Sequence, residues 1–273
     1  EWAADGYCDD GGVGALHNLC GLGTACQDCG GRLPMATSPQ QPPVPSPPDS
    51  LAAPPPAPPP LVLSSLSALQ IALGVVGGGS GGGRRLEDRP AATDVASWDV
   101  SRITDFSGLC SADPHFDGAG LASWNVSHVL SFADAFANCT AFDEPLEGWD
   151  VSSATDMSGM FAHTHFNRPI STWVTSACTD MSRMFEGASR FNQWVSSFDT
   201  SNVLSIDGMF RGASSFSQTV QFWDVARLRS LRGTFDGAAV FDRPLTRWDV
   251  SGVTDMTRLF AGAARFNQPI QAW

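Results

Sequence analysis

Four cysteines crowd the first part of the chain: Cys8, Cys20, Cys26 and Cys29. Thiols at this density either pair as disulfides or bind a metal as thiolates. Residues 1–33 are too few to be stabilised by a hydrophobic core alone. The pattern therefore favours two disulfides, with three pairings open. A four-cysteine zinc site that uses the Cys26-x-x-Cys29 pair is the alternative, and it would fit a reducing compartment.

Four aspartates lie among these cysteines: Asp5, Asp9, Asp10 and Asp28. Carboxylate oxygens held by disulfide-linked turns are hard ligands that suit Ca²⁺. Aspartates also form Asx turns and carry charge on solvated loops. The same residues therefore predict either a calcium site or ordinary acidic turns, and both interpretations stay open.

The other three cysteines, Cys110, Cys139 and Cys178, fall at positions where apolar residues otherwise recur. Free cysteine behaves in a core as a small hydrophobic residue. We therefore expect three buried free thiols, and a Cys110–Cys139 bridge is the alternative.

Two acceptor sequences for N-linked sugar occur, Asn125-Val-Ser and Asn138-Cys-Thr. Asn125 directly follows a conspicuous Trp and is expected to face solvent. Both asparagines are predicted glycosylation sites of a secreted chain.

The charge balance excludes several classes of function. The formal net charge is −12, and all 16 basic residues are Arg. Nucleic-acid binding requires a concentration of cations that displaces phosphate counterions, and none is visible. No H-E-x-x-H motif occurs, and a Ser–Lys dyad is ruled out because there is no Lys. The sequence predicts a protein that is not an enzyme.

Composition divides the chain into four regions. Residues 1–33 are the Cys-rich module, and residues 34–60 form a Pro-rich linker that is expected to be extended. Residues 61–97 contain the apolar segment Leu61–Val76, a Gly-rich joint and a charged turn. We interpret Leu61–Val76 as an amphipathic helix that caps the following domain. A single membrane span is the alternative, although this segment is shorter than the roughly 20 residues that a span needs.

Residues 98–273 are a tandem repeat. A large aromatic recurs every 24 to 26 residues: Trp98, Trp124, Trp149, Trp173, Phe198, Trp223, Trp248 and Trp273. A fixed period in this range indicates a repeat architecture. Trp273 begins an eighth unit, which predicts that the native chain continues or that another chain covers this end.

The spacing within each unit predicts local structure. Counting from the repeat aromatic as position 0, a β-branched stretch at positions 2 to 6 favours a short strand. Position 7 is always Asp or Ser, as at a helix N-cap, and apolar residues follow at positions 8, 11, 12 and often 15. The sequence thus predicts an α/β repeat solenoid with a short parallel strand and a short helix in each coil. Its predicted core includes Trp149, Met157, Phe161, Phe166, Trp248, Met256, Phe260 and Phe266.

The wording of the repeat, W-D-V-S-x-V-T-D-M-S-x-M-F, is legible from Trp149 and again from Trp248. It resembles the 25-residue repeat of BspA-like leucine-rich-repeat surface proteins, first described as a mycoplasma lipoprotein repeat. The head is similar to a small Cys module of secreted algal and other protist proteins. The first resemblance implies a leucine-rich-repeat-like solenoid that is secreted or displayed on a cell surface.

That family implies protein, matrix or cell-surface binding and no catalytic residues. The expected function is therefore an extracellular interaction or structural protein that binds proteins or glycans or assembles with itself. Exposed, non-core residues such as Arg183, Arg211 and Arg258 are candidate contacts. A membrane-anchored surface protein, or the non-catalytic part of a larger enzyme, is the alternative.

Overall fold

The computed structural model describes residues 61–73, 95–110, 113, 115–271 and 273. The Cys-rich module, the Pro-rich linker and the Gly-rich joint lie outside the described residues. The described repeat region consists of seven coils: 98–123, 124–148, 149–172, 173–197, 198–222, 223–247 and 248–272. They are called the first to the seventh coil below.

One helix precedes the coils, α1 (Leu66–Leu73). The Ser65 hydroxyl accepts the backbone N–H of Ala68 at 3.2 Å, which caps the first turn. Leu69 and Leu73 are buried in the same apolar core as the first coil. The Gln70 side chain donates to the Gly108 carbonyl at 2.9 Å, so the polar face is also tied to that coil.

Helix α1 is shorter than the helix expected over Leu61–Val76. Residues before it are extended instead: Val62 forms a parallel bridge with Asp99, and the Leu63 N–H donates to the Asp99 carbonyl at 3.0 Å. One 3₁₀ turn, Val95–Ser97, directly precedes the first coil, and another, Leu121–Ser123, ends it. Among the helices of the described residues, none has both the length and the hydrophobicity that a membrane crossing demands.

The coils are joined by parallel backbone hydrogen bonds rather than by strands. N–H groups at positions 8, 10 and 12 of one coil donate to carbonyls at positions 7, 9 and 11 of the next. In the third coil the bonds are Met157 N–H to Asp180 O at 2.9 Å, Gly159 N–H to Ser182 O at 2.8 Å and Phe161 N–H to Met184 O at 2.9 Å. Between the described coils, only residues at position 7 form β-bridges, for example Asp156 with Asp180. The predicted strand at positions 2 to 6 is absent from the described coils.

The predicted helix of each coil is also absent from the described residues, because positions 8 to 15 form consecutive four-residue turns. Positions 10 and 14 have positive φ in coil after coil, as Gly159 (60°) and Gly187 (66°) do. A left-handed residue at the third position of a turn is typical of type II turns and ends a right-handed helix. Turns that repeat every four residues present positions 8 and 12, and 11 and 15, to the same side. They therefore imitate a helical apolar pattern.

The position 7 aspartates cap these turns instead of helices. The Asp180 carboxylate accepts the Ser182 backbone N–H at 2.8 Å, and Asp255 accepts the Thr257 N–H at the same distance. Each is an Asx turn, in which a side chain satisfies a backbone donor two residues on. Capping thus explains why position 7 is Asp or Ser, as expected. The capped element is a turn rather than the predicted helix.

Two columns of stacked phenylalanine rings form the centre of the core. The column at position 12 has successive ring centroids 5.7–5.8 Å apart and contains Phe136, Phe161, Phe185, Phe210, Phe235 and Phe260. Within a coil, each of these rings lies only 3.8–4.0 Å from the second phenylalanine. Such offset-stacked aromatics add to the free energy gained from burial alone. The column begins at the second coil because Cys110 replaces Phe in the first.

The repeat tryptophans form a third column that is also hydrogen-bonded. Five indole Nε1 groups donate at 2.8–3.0 Å to the carbonyl three residues before the preceding repeat aromatic, and the donors are Trp124, Trp149, Trp173, Trp223 and Trp248. The Nε1 groups of the first and last repeat tryptophans, Trp98 and Trp273, are buried without a hydrogen-bond partner among the described residues. Phe198 takes the same place in the fifth coil, is 4% exposed and has no such donor.

Most of the predicted core residues are buried, but those of the seventh coil are not. Trp149, Met157, Phe161 and Phe166 are at most 3% exposed, and Trp248 is 4% exposed. Met256 is 38% exposed, and the Phe260 and Phe266 rings are only partly buried. In the inner coils these positions are covered by the next coil. The described residues contain no further coil beyond the seventh, which explains the exposure of Met256.

Candidate functional site

The predicted sites of the Cys-rich module, Cys8, Cys20, Cys26 and Cys29 with Asp5, Asp9, Asp10 and Asp28, lie outside the described residues. Within the residues that are described, no group of three or more His, Cys, Asp or Glu side chains could hold a metal ion. The described features that bear on function are the disulfide, the sequons and the side chains exposed along the turns.

Cys110 and Cys139 form a disulfide between the first and second coils, with Cα atoms 6.5 Å apart. The expectation of free thiols at these two positions was wrong. Position 12 of one coil and position 15 of the next both point into the core. The two cysteines therefore meet in the space that the missing phenylalanine leaves. Sequence separation alone, 29 residues, does not reveal this proximity.

Cys178 is a buried free thiol. Burial raises the pKa of Cys178 to about 12, mainly because desolvation disfavours the thiolate. Since the thiolate is the reactive form, Cys178 is a core residue with little reactivity.

Both sequon asparagines are exposed. The Asn125 side-chain oxygen accepts the Ser127 N–H at 3.1 Å and the Ser127 hydroxyl at 2.8 Å, which fixes a local Asx turn. Asn138 has a φ of 65° and lies directly before the bridged Cys139. Glycosylation at both positions stays a prediction.

A row of acidic residues follows the repeat aromatics at position 1. In the fifth coil the Ser201 hydroxyl and backbone N–H both donate to Asp199, at 2.7 and 3.0 Å, and lower the pKa of this carboxyl. Hydrogen bonds from Ser152 lower the pKa of Asp150 in the same way. These carboxylates are turn caps, so their recurrence is explained by structure rather than by catalysis.

The arginines proposed as contacts are paired with acids of other coils, one or two coils away. Arg183 lies 3.4 Å from Asp134, and Arg211 lies 3.3 Å from Glu186. Arg258 donates to both carboxylate oxygens of Asp236, at 2.7 and 3.1 Å. The structure thus brings these arginines into one charged surface, but it gives each an acidic partner. Their availability for a ligand is correspondingly reduced.

The most exposed large apolar side chain of the described residues is Trp194, at 68%. It lies three residues after the second phenylalanine of its coil, where Pro is found at Pro145, Pro169, Pro244 and Pro269. Thr219 occupies the equivalent place in the next coil. The sequence shows this departure from the repeat, and our sequence reasoning overlooked it.

A cleft of about 180 Å³ opens beside Trp194. It spans the fourth, fifth and sixth coils and is lined by Trp194, Val195, Ser196, Gln218, Thr219 and Arg243. Its floor is formed partly by buried Val195, and the other lining residues are polar or aromatic. The cleft is smaller and more polar than a pocket for a drug-sized ligand, and its aromatic surface is that of Trp194.

The comparisons with known proteins assign the repeat region. The family model described as "Mycoplasma protein of unknown function, DUF285" matches residues 86–198 and 184–273. Comparison with curated proteins and with solved structures gave no match. The two family matches together span more than half of the chain, and they contain all seven coils and the cleft. The chain therefore belongs to the DUF285 family of mycoplasma proteins of unknown function.

Proposed function

We propose that the chain is an extracellular or cell-surface interaction protein without catalytic activity. In this proposal residues 98–273 are a BspA-like, leucine-rich-repeat-like solenoid that binds proteins or glycans or builds an extracellular assembly. Residues 1–33 are a disulfide-linked module, and residues 34–60 separate it from the repeat.

One observation carries the proposal: the buried positions repeat from coil to coil, whereas the turn position after the second phenylalanine, which is Pro in four coils, changes in the fourth and fifth coils. Phe161, Phe185 and Phe210 are 0% exposed and occupy the same position of successive coils. The turn positions of the same region change from Pro169 to Trp194 and Thr219. A regular core with a variable exposed face is the design that repeat proteins use for recognition.

The Cys110–Cys139 disulfide supports the extracellular part of the proposal. Disulfides form and persist in oxidising compartments and are rare where thiols are kept reduced. The exposed sequons at Asn125 and Asn138 are compatible with passage through a secretory route.

Thiol mapping with intact mass measurement, on protein from its natural source, tests the proposal. We expect Cys178 to be the only cysteine that is alkylated after unfolding without reductant, and added mass at Asn125 or Asn138. Seven free thiols, no sugar and retained zinc would place the protein in a reducing compartment and overturn the extracellular assignment.

A further inference from the structure

The cleft beside Trp194 lies where two successive coils depart from the repeat. Pro169 and Pro244 occupy the corresponding turn position of the coils on either side. In the fourth coil the indole of Trp194 projects into solvent instead, and in the fifth coil Thr219 lines the cleft beside it. No core requirement explains an exposed tryptophan, since a tryptophan normally gains free energy from burial.

The polar groups of the cleft are held in place by the coils beneath. The Gln218 Nε2 donates to both the backbone and the side-chain oxygen of Asn192, each at 3.0 Å. The Arg243 Nε donates to the Ser217 carbonyl at 2.6 Å. Both side chains are therefore oriented before any ligand arrives, which lowers the entropy lost on binding.

These groups keep capacity for a ligand. Among the ion pairs of the described residues none involves Arg243, although its charge contributes to lowering the pKa of the neighbouring Asp242. The hydroxyls of Ser196 and Thr219 have no hydrogen bond within the described part of the chain. The cleft thus offers one aromatic face, two hydroxyls and one guanidinium.

We propose that this cleft binds one pyranose ring of an acidic glycan, an inference that rests on the proposed binding function and names its ligand class. The flat indole of Trp194 matches the C–H face of a sugar ring, and the hydroxyls of Ser196 and Thr219 match its hydroxyl groups. The Arg243 guanidinium matches a ring carboxylate, with which arginine forms paired hydrogen bonds.

The size and charge of the cleft favour this ligand over a protein. Its volume of about 180 Å³ is below the range of roughly 300–1,000 Å³ for drug-sized ligands, so it accommodates one ring of a longer chain. A protein hot spot is normally surrounded by other contacts that exclude water, whereas Ser197, Ser171 and Thr172 nearby in the same turns are exposed and polar. The net charge of −12 opposes polyanions, so we expect weak affinity that changes with salt.

Titration of the full chain with tetramers of galacturonate, mannuronate and glucuronate, and with a neutral galactose tetramer, tests the proposal. Binding is followed by calorimetry and by protection of Trp fluorescence from acrylamide quenching. We expect at least one acidic tetramer to bind more tightly than the neutral one. Trp194→Ala should weaken that binding at least tenfold, and Arg243→Gln should remove the preference for the acidic tetramer.

Phe222→Ala is the matched control, because Phe222 is also an exposed aromatic, at 58%, and lies outside the cleft lining. It should leave binding unchanged, and all three variants should melt at the wild-type temperature. Binding of none of the tetramers, or equal loss in Trp194→Ala and Phe222→Ala, would overturn the proposal. Capture of a protein partner that depends on Trp194 would also overturn it. Thiol mapping tests the proposed extracellular location independently, so a failure of glycan binding can be distinguished from a failure of the proposed function.

Discussion

The hydrogen-bonded tryptophan column predicts that removing an indole N–H destabilises the fold and that adding one stabilises it. Trp223 is 3% exposed, and its Nε1 donates to the Val195 carbonyl at 2.9 Å. Trp223→Phe removes this donor and leaves a small cavity. The Val195 carbonyl keeps one partner, the Phe198 N–H at 3.1 Å, so it is not left wholly unsatisfied.

The two contributions set the size of the effect. Loss of a neutral hydrogen bond costs about 1 kcal/mol, and the smaller ring costs about 1–2 kcal/mol through lost packing. Trp223→Phe should therefore reduce the free energy of unfolding by about 2–3 kcal/mol. Phe198→Trp should do the opposite, because the Ile170 carbonyl lies at the equivalent place and accepts only the Trp173 N–H at 3.2 Å among the described residues. We expect a gain of about 1 kcal/mol.

Thermal and urea unfolding monitored by circular dichroism measure both variants. For a domain of this size, 1 kcal/mol corresponds to about 2–4 °C in melting temperature. Phe198→Tyr is a useful control, since it adds polarity without an indole N–H. A destabilised Phe198→Trp would show that the fifth coil cannot hold the larger ring. If Trp223→Phe and Phe198→Trp both unfold with a free energy within about 0.5 kcal/mol of wild type, the indole hydrogen bonds contribute nothing to stability.

Three further predictions concern single positions. Gly159→Ala should lower the free energy of unfolding by about 1–3 kcal/mol, because φ is 60° there and an added Cβ would collide with the Asp134 carboxylate. Chemical unfolding measures this loss. The control Gly148→Ala should be neutral, because no atom lies within 4 Å of the added Cβ. Val174→Asp should restore the missing turn cap and raise the melting temperature at pH 7, because a carboxyl that accepts these turn hydrogen bonds has a lowered pKa. The gain in melting temperature should be present above about pH 4 and should disappear as the pH falls through the lowered pKa. A gain that persists in acid would contradict the cap. Cys178 should react with a thiol reagent at pH 8 only after unfolding, and rapid labelling of the native protein would show that its burial is wrong.

The period and the buried positions could be predicted from sequence because both depend on the spacing of large side chains alone. Phe161 and Phe210 are buried as position 12 requires. The type of local structure could not be obtained from the same spacing, since turns of four residues and a helix give the same apolar pattern. The distinguishing signal was present in Gly159 and Gly187, which recur at positions 10 and 14. Two left-handed residues within five positions of the chain exclude a right-handed helix there.

The contacts between coils were harder to predict, because they depend on which positions of adjacent coils face each other. The disulfide joins position 12 of one coil, Cys110, to position 15 of the next, Cys139, whereas the ion pair of Arg183 with Asp134 joins the same position 10 of two coils that are not adjacent. Arg183 even pairs two coils away, across Gly159, which has no side chain in the path. The sequence pattern shows which residue occupies each position of a coil. It does not show how far one coil is shifted against the next, which decides which side chains meet.

Stability and recognition are separable in this architecture. The core of each inner coil is covered by its two neighbours, through stacked rings and backbone hydrogen bonds that do not involve the turn after the second phenylalanine. Trp194 is exposed and Thr219 is partly exposed, so replacing them removes little buried surface. Pro169 and Trp194 can therefore occupy the same turn without altering the rings beneath. Although the adjacent Val195 is buried, the side chain of Trp194 is not held by the core, so Trp194→Ala tests the proposed binding site without removing core packing.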